Sequence, residues 1–168
     1  MTHPVDAVEH PMPPYVAVCG AAEPTAQEAE WAQEIGRGLA AAGAVVVCGG
    51  LGGVMDAAAR GAESAGGTSL GILPGSDRSE ASTHLTVAIP TGLGEARNAL
   101  VVRSADVVIA VGGEFGTLSE IALALKRGTP VVGLATWRVA KARPAVDPIV
   151  RVEDPQEAVA AALELARS

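Results

Sequence analysis

Two charged side chains stand where chemistry would need them. Glu120 lies one turn into a predicted helix, at the end of Asp106-Val-Val-Ile-Ala-Val-Gly-Gly-Glu-Phe-Gly-Thr-Leu-Ser-Glu120. Arg97 lies in the first turn of another predicted helix, after the glycine-containing turn Pro90-Thr-Gly-Leu-Gly94. A carboxylate so placed positions or deprotonates water and stabilises positive charge that builds on a sugar. An arginine offers a fixed fork for a phosphate or carboxylate. Each residue also has a purely structural account. Thr117-Leu-Ser-Glu120 has the spacing of a capping box, in which Glu120 only holds a helix start at Thr117. Arg97 can pair on the surface with Glu95, which would offset the mildly unfavourable place of a cation at a helix N-terminus.

The elements that must position these residues are strand–glycine–helix junctions. The first runs from the apolar strand Val107 to Val111 through Gly112 to Gly116 into a helix. The second is Val45 to Ala57, with Gly49-Gly-Leu-Gly-Gly53 at its turn, and a shorter third is Val18-Cys-Gly-Ala21 with Gly20. A helix N-terminus leaves backbone N–H groups unpaired and carries partial positive charge, so such a junction accepts phosphate. Three of them on one open parallel sheet converge on one crevice, which makes a nucleotide-type site the leading idea. Backbone N–H groups around Gly113 to Thr117 and Gly50 to Gly53 are the expected cradle.

The rest of the chain supplies the sheet. Strands are predicted over Tyr15 to Cys19, Ala44 to Cys48, Leu70 to Leu73, Leu85 to Ile89, Val107 to Val111, Val131 to Leu134 and Ile149 to Val152. Helices alternate with them. One opens on the capping box Thr25-Ala-Gln-Glu28, carries Trp31, Ile35 and Leu39 on one stripe and ends at Gly43. Others cover Val54 to Ala65, about Glu95 to Ser104 and Thr117 to Arg127, and the last is capped by Asp154 with proline next. Residues 1–14 are expected to be a flexible tail and 15–168 a single domain. Alternation of this kind implies α/β, doubly wound, with one mainly parallel sheet and helices on both faces.

Composition narrows the function. The 168 residues are 49% hydrophobic with only 2% aromatics, which suits tightly packed helices on a buried sheet. A formal charge of −7 disfavours nucleic acid. No apolar run is long enough to span a membrane and no signal peptide is evident, so a cytoplasmic protein is expected. Cys19 and Cys48 read as small buried hydrophobes rather than a zinc site. A dinucleotide GxGxxG with its acidic partner is missing, as is the lysine of a Walker A loop. His3 and His10 lie in the tail and His84 at a strand entrance, which leaves Ser-His-Asp catalysis without a base. Neither Lys126 nor Lys141 is placed for pyridoxal chemistry. Neither a metal nor a cofactor is expected.

The ordered set Gly49-Gly-Leu-Gly-Gly-Val-Met55, Glu95-Ala-Arg97 and Gly112-Gly-Glu-Phe-Gly-Thr-Leu-Ser-Glu120 resembles the Lonely Guy (LOG) proteins. These are Rossmann-like phosphoribohydrolases, once mislabelled lysine decarboxylases, with the hallmark PGGxGTxxE, an upstream arginine and a GGxxGxM-type loop. The resemblance covers roughly Tyr15 to Leu134. The triplet Ala96-Arg-Asn98 is similar to a bacterial subgroup that also resembles molybdenum-cofactor carrier proteins. The resemblance implies a Rossmann-like domain with Arg97 and Glu120 as the catalytic pair. It places Gly113, Gly116 and Thr117 on the phosphate-binding turn, and Met55 with Gly50 and Gly53 in the second loop. Gly112 falls on the family's proline, Glu114 on its second glycine, and Asn98 on a lysine. The last two changes leave the site less friendly to anions.

Two functions follow as expectations. The first is cleavage of the N-glycosidic bond of a nucleoside 5′-monophosphate to free base and ribose 5-phosphate. The alternative is a non-catalytic binding or carrier protein for a phosphorylated pterin, the molybdenum cofactor, or for a nucleotide. A DNA-processing relative of similar fold is a weaker third, opposed by the negative charge. The implied partners are a small phosphorylated ligand and a second copy of the chain in a homodimer, paired through helices near the site, with no nucleic acid and no membrane.

Overall fold

The computed structural model describes residues 12–140, 142–143 and 146–168. Most of the tail expected at 1–14, including His3 and His10, lies outside the described residues, as does Lys141. The apolar runs form seven strands: β1 (Tyr15–Gly20), β2 (Val45–Cys48), β3 (Ser69–Leu73), β4 (Val87–Pro90), β5 (Val107–Val111), β6 (Val131–Leu134) and β7 (Val150–Val152). Five helices alternate with them: α1 (Ala26–Ala41), α2 (Val54–Ser64), α3 (Asn98–Arg103), α4 (Phe115–Arg127) and α5 (Pro155–Leu165). A 3-10 turn, Gly94–Arg97, leads straight into α3.

The strands form one sheet in the order β4-β3-β2-β1-β5-β6-β7, and every neighbouring pair is parallel. From β1 the chain adds strands outward to β4, then returns to lay β5 on the other side of β1. Connections on the two sides therefore leave for opposite faces, and the gap above β1 and β5 opens as a crevice. Val16, Val18, Val107 and Ile109 turn to the face covered by α1, α2 and α5. Ala17, Cys19, Val108 and Ala110 turn to the face covered by α3 and α4. Fully buried Ile35, Leu39, Ile109 and Ile121 each contribute about 1.5–3 kcal/mol of apolar transfer free energy. Within the sheet, the large apolar side chains left in the open are on the edge strands, at Val87, Ile89 and Val150. The fold is α/β with helices on both faces, as expected. Among the described residues no helix is long and apolar enough to cross a membrane.

Local signals explain most boundaries. Thr25 Oγ1 accepts from the Glu28 N–H, and the Glu28 carboxylate accepts from the Thr25 N–H, so α1 starts on a complete capping box. Gly43, at φ +81°, takes the left-handed turn just past the end of α1. Strand β4 begins at Val87 rather than at Leu85. Just before it, Thr86 and Ser69 exchange hydrogen bonds between hydroxyls and backbone N–H groups, 3.0 and 3.1 Å, in place of a backbone ladder.

One boundary matters for function. Helix α4 starts at Phe115, not Thr117, with Glu114 as its N-cap and no side-chain cap. Thr117 thus lies inside the first turn, and the capping-box account of Glu120 is overturned. The reason is tertiary: Gly112 and Gly113 turn with positive φ and aim the chain into the helix earlier than the local pattern suggests.

Candidate functional site

The ends of β1, β2 and β5, together with the 3-10 turn after β4, enclose a cleft of about 650 Å³. This volume is typical of a small-molecule site. Gly20, Gly49 and Gly116, one from each predicted junction, all line it, so the three junctions do converge. Arg97 and Glu120 both line it, from the 3-10 turn and from α4.

Both charged residues are buried, Arg97 with 8% and Glu120 with 7% of its surface exposed. Arg97 Nη1 lies 3.9 Å from Glu120 Oε1, so its partner is Glu120 and the expected surface pair with Glu95 does not form. Nη1 also donates to Asn98 Oδ1. Asn98 Nδ2 donates to Ser119 Oγ at 3.1 Å, and Ser119 Oγ donates to the Gly116 carbonyl at 2.7 Å. This relay ties the start of α3 to the first turns of α4 and fixes the guanidinium. Asn98 therefore orients Arg97. Gly49 makes room beneath it: a Cβ there would sit 2.7 Å from Arg97 Nη2 and 2.6 Å from Met55 Sδ.

The Nε of Arg97 is buried without a hydrogen-bond partner. An orphan buried donor costs about 1–3 kcal/mol, and an incoming anionic oxygen would relieve it. Across from it, burial pushes the Glu120 carboxyl up to about 7, although a hydrogen bond from the Cys19 thiol and the Arg97 charge both pull it down. Burial likewise holds the Cys19 thiol well above its ordinary range, so it remains a donor. Cys48 is pushed to about 11 by burial. Both cysteines are free and buried, as expected. A carboxyl that titrates near neutrality beside a fixed guanidinium can hold an anion, or move a proton at a bound ligand.

Of the other predicted contacts, Met55, Asn98, Glu114 and Thr117 line the cleft, whereas Gly50, Gly53, Gly112 and Gly113 do not. Those four shape the turns behind it. Gly53, at φ +68°, presses against the carbonyls of Ala21 and Ala22, where a Cβ would come within 2.4 Å. Gly112 has φ +53°, a conformation closed to proline, and its missing Cβ leaves space for the Glu28 carboxylate. The family's proline is thus replaced by a differently shaped turn. Thr136 Oγ1 donates to the Gly112 carbonyl and Trp137 Nε1 to that of Glu114, at 3.2 Å, which brace this turn from the loop after β6. Among the described residues, no three His, Cys, Asp or Glu side chains gather as a metal would need.

Residues 13–159, which carry all of these groups, match the SLOG cluster4 family. The chain belongs to that family. An uncharacterised protein of Archaeoglobus fulgidus is 41% identical over 145 residues, 86% of this chain and 91% of that one. Among solved structures, the chain is similar to the molybdenum cofactor binding protein of the phototrophic bacterium Rippkaea orientalis. The TM-score is 0.84 at 34% identity, covering 92% of this chain and 98% of the other. It is also similar to the Moco carrier protein of Chlamydomonas reinhardtii, with a TM-score of 0.81 at 35% identity over 93% and 99% of the two chains. The expected kinship therefore holds at the level of the SLOG, Rossmann-like superfamily.

In this SLOG cluster4 chain the sequence reading missed three kinds of residue. Cys19 reaches the cleft because it is the last residue but one of β1, at the crevice, which the strand order decides. Gly49, rather than Gly50, floors the arginine. Glu23 and Glu95, like Glu114, are exposed residues that line the cleft, where Arg97 is the one cation among the described lining residues.

Proposed function

We propose that this protein binds a phosphorylated pterin or nucleotide in the Arg97–Glu120 cleft and carries it without turnover. The observation that carries this reading is the buried Arg97, which lines the cleft and keeps an orphaned Nε, in a chain similar along nearly its whole length to molybdenum-cofactor binding and carrier proteins. Asn98 supports it as well, because it spends one guanidinium N–H on orientation and supplies no second cation.

Calorimetric titration with nucleoside 5′-monophosphates and a pterin carrying a phosphorylated side chain tests the reading. At least one is expected to bind the wild type with its base intact by chromatography. Arg97→Ala should weaken that binding tenfold or more, and Arg97→Lys should not restore it, since lysine lacks the planar fork. Equal binding by Arg97→Ala would overturn the assignment.

A second reading is favoured by one feature, the near-neutral carboxyl of Glu120 inside the cleft. That group suits a LOG-type phosphoribohydrolase, with Glu120 activating water or stabilising the oxocarbenium-like ribose and Arg97 holding the phosphate. Release of free base, lost by a factor on the order of 10² or more in both Glu120→Gln and Arg97→Ala, would establish it instead.

The same reading includes a homodimer through the face of α3 and α4. Support comes from apolar side chains left open on these elements, Phe115 at 75% on α4, Leu100 at 37% on α3 and Leu93 at 52% just before the 3-10 turn. Light scattering at micromolar concentration should give twice the chain mass. A monomer would count against the pairing.

A further inference from the structure

Helix α4 turns one continuous stripe to solvent. Phe115, Ser119, Ala122 and Lys126 are all exposed, and their spacing of four, three and four residues sets them in line down the helix. The stripe lies opposite the face that buries Thr117, Glu120, Ile121 and Ala124. It borders a largely apolar groove, whose other side is the stretch from Glu95 in the 3-10 turn to Ala99 in α3. Glu95 stands at the crevice end of that groove with Phe115, and Lys126 at the far end, about three turns away. Phe115 is the chain's only phenylalanine and stands in the open, yet its ring is placed: it packs on Trp137 with centroids 5.4 Å apart. An aromatic fixed on the surface at the rim of an apolar groove marks a face that another molecule covers.

We infer that two copies of the chain pair through an antiparallel α4–α4 contact whose two-fold axis passes midway between Ser119 and Ala122, so that Phe115 and Glu95 of each copy receive Lys126 of the partner subunit. The inference rests on the pairing proposed above and specifies its register. A two-fold contact must be complementary to itself, and this stripe is. About that axis Ser119 falls opposite Ala122 of the partner subunit, small against small, which lets the helices approach to about 8 Å. At both ends Phe115 falls opposite Lys126 of the partner subunit. An ammonium is attracted to the face of an aromatic ring, and Glu95 adds the opposite charge at the same end of the groove. A parallel pairing would instead set lysine on lysine and glutamate on glutamate. The acidic and basic ends of the groove therefore select a reversed copy of the same chain as its occupant.

Single cysteines test the register, since Cys19 and Cys48 are buried and stay out of the reaction. In this pairing two Ser119→Cys positions, or two Ala122→Cys positions, lie about 4.5 Å apart along the helices, which a disulfide spans. Two Phe115→Cys positions lie about 16 Å apart, which no disulfide spans. Under mild oxidation the two central variants should cross-link into dimers and Phe115→Cys should not. Lys126→Glu should raise the dimer dissociation constant about tenfold or more, read by analytical ultracentrifugation, because it sets like charges together at both ends. Adding Glu95→Lys should restore pairing, with melting temperatures confirming that each variant folds. Three results would each overturn the register and leave the pairing reading standing: cross-linking of Phe115→Cys, silence of both central variants in a protein that is dimeric in solution, or a Lys126→Glu protein that pairs like the wild type. A monomeric wild type would overturn both.

Discussion

Gly36→Ala should destabilise the protein by about 3 kcal/mol or more, or prevent folding altogether. On a helix surface the same change normally helps, by about 1 kcal/mol, since alanine is the better helix former. Here the sign reverses because α1 and α2 cross backbone to backbone. A Cβ on Gly36 would lie 2.0 Å from the Ala58 carbonyl oxygen and 2.8 Å from its carbon. Gly61 is the reciprocal contact, its Cβ falling 2.0 Å from the Gln33 carbonyl oxygen. No rotamer relieves a clash with backbone, so the helices must part. Separation loosens Ala32, Ile35, Ala58 and Ala62, all fully buried. It also shifts α2, whose second residue, Met55, crowds against Gly49 together with Arg97. Gly52→Ala is the control, with nothing within 4 Å of its Cβ, and should stay within about 0.5 kcal/mol. Chemical denaturation reads both. A Gly36→Ala protein as stable as the wild type would mean that the two helices do not meet this closely.

These glycines show where the sequence is legible and where it is not. The alternation of apolar runs with capped helices reveals the class, and Thr25, Glu28 and Gly43 mark the two ends of α1 because caps are local. Arg97 and Glu120 stand out because their junctions are local too. Strand order is not local. Only the return of the chain from β4 to β5 brings Cys19, Glu23 and Glu114 to one cleft, and no spacing in the sequence encodes that. A glycine in a turn also carries no sign of what approaches it. Gly49 makes way for a guanidinium, Gly53 for two carbonyls and Gly112 for a carboxylate, although all three look alike in a glycine-rich run. The helix α4 boundary failed for the same reason. Thr117 and Glu120 have capping-box spacing, and a turn fixed by distant groups at Glu28, Thr136 and Trp137 placed them inside the helix instead.

Glu120→Gln is expected to make the apo protein more stable than the wild type at pH 8 and no more stable at pH 4.5. The carboxyl is pushed from an ordinary value of 4.5 to about 7 in the folded chain, chiefly by burial. Between those values the unfolded chain has released this proton and the folded chain still holds it, so wild-type stability falls as pH rises through that window. Above pH 7 both states are ionised and the loss is complete, at about 3 kcal/mol. The attraction of Arg97 already opposes the shift, so it is included in that figure. Glutamine never ionises, and the variant should lack this slope while keeping every other pH dependence of the chain. Thermal or urea unfolding of both proteins from pH 4.5 to 8 gives the difference directly. Parallel curves would show that Glu120 is ionised throughout and already satisfied. The same titration governs the cleft: ionisation adds a negative charge opposite Arg97, so anion affinity in the wild type should fall across pH 7 and stay level in the variant. A carboxyl that costs this much to ionise persists against simple stability, which is the behaviour of a residue kept for what the cleft does with its ligand.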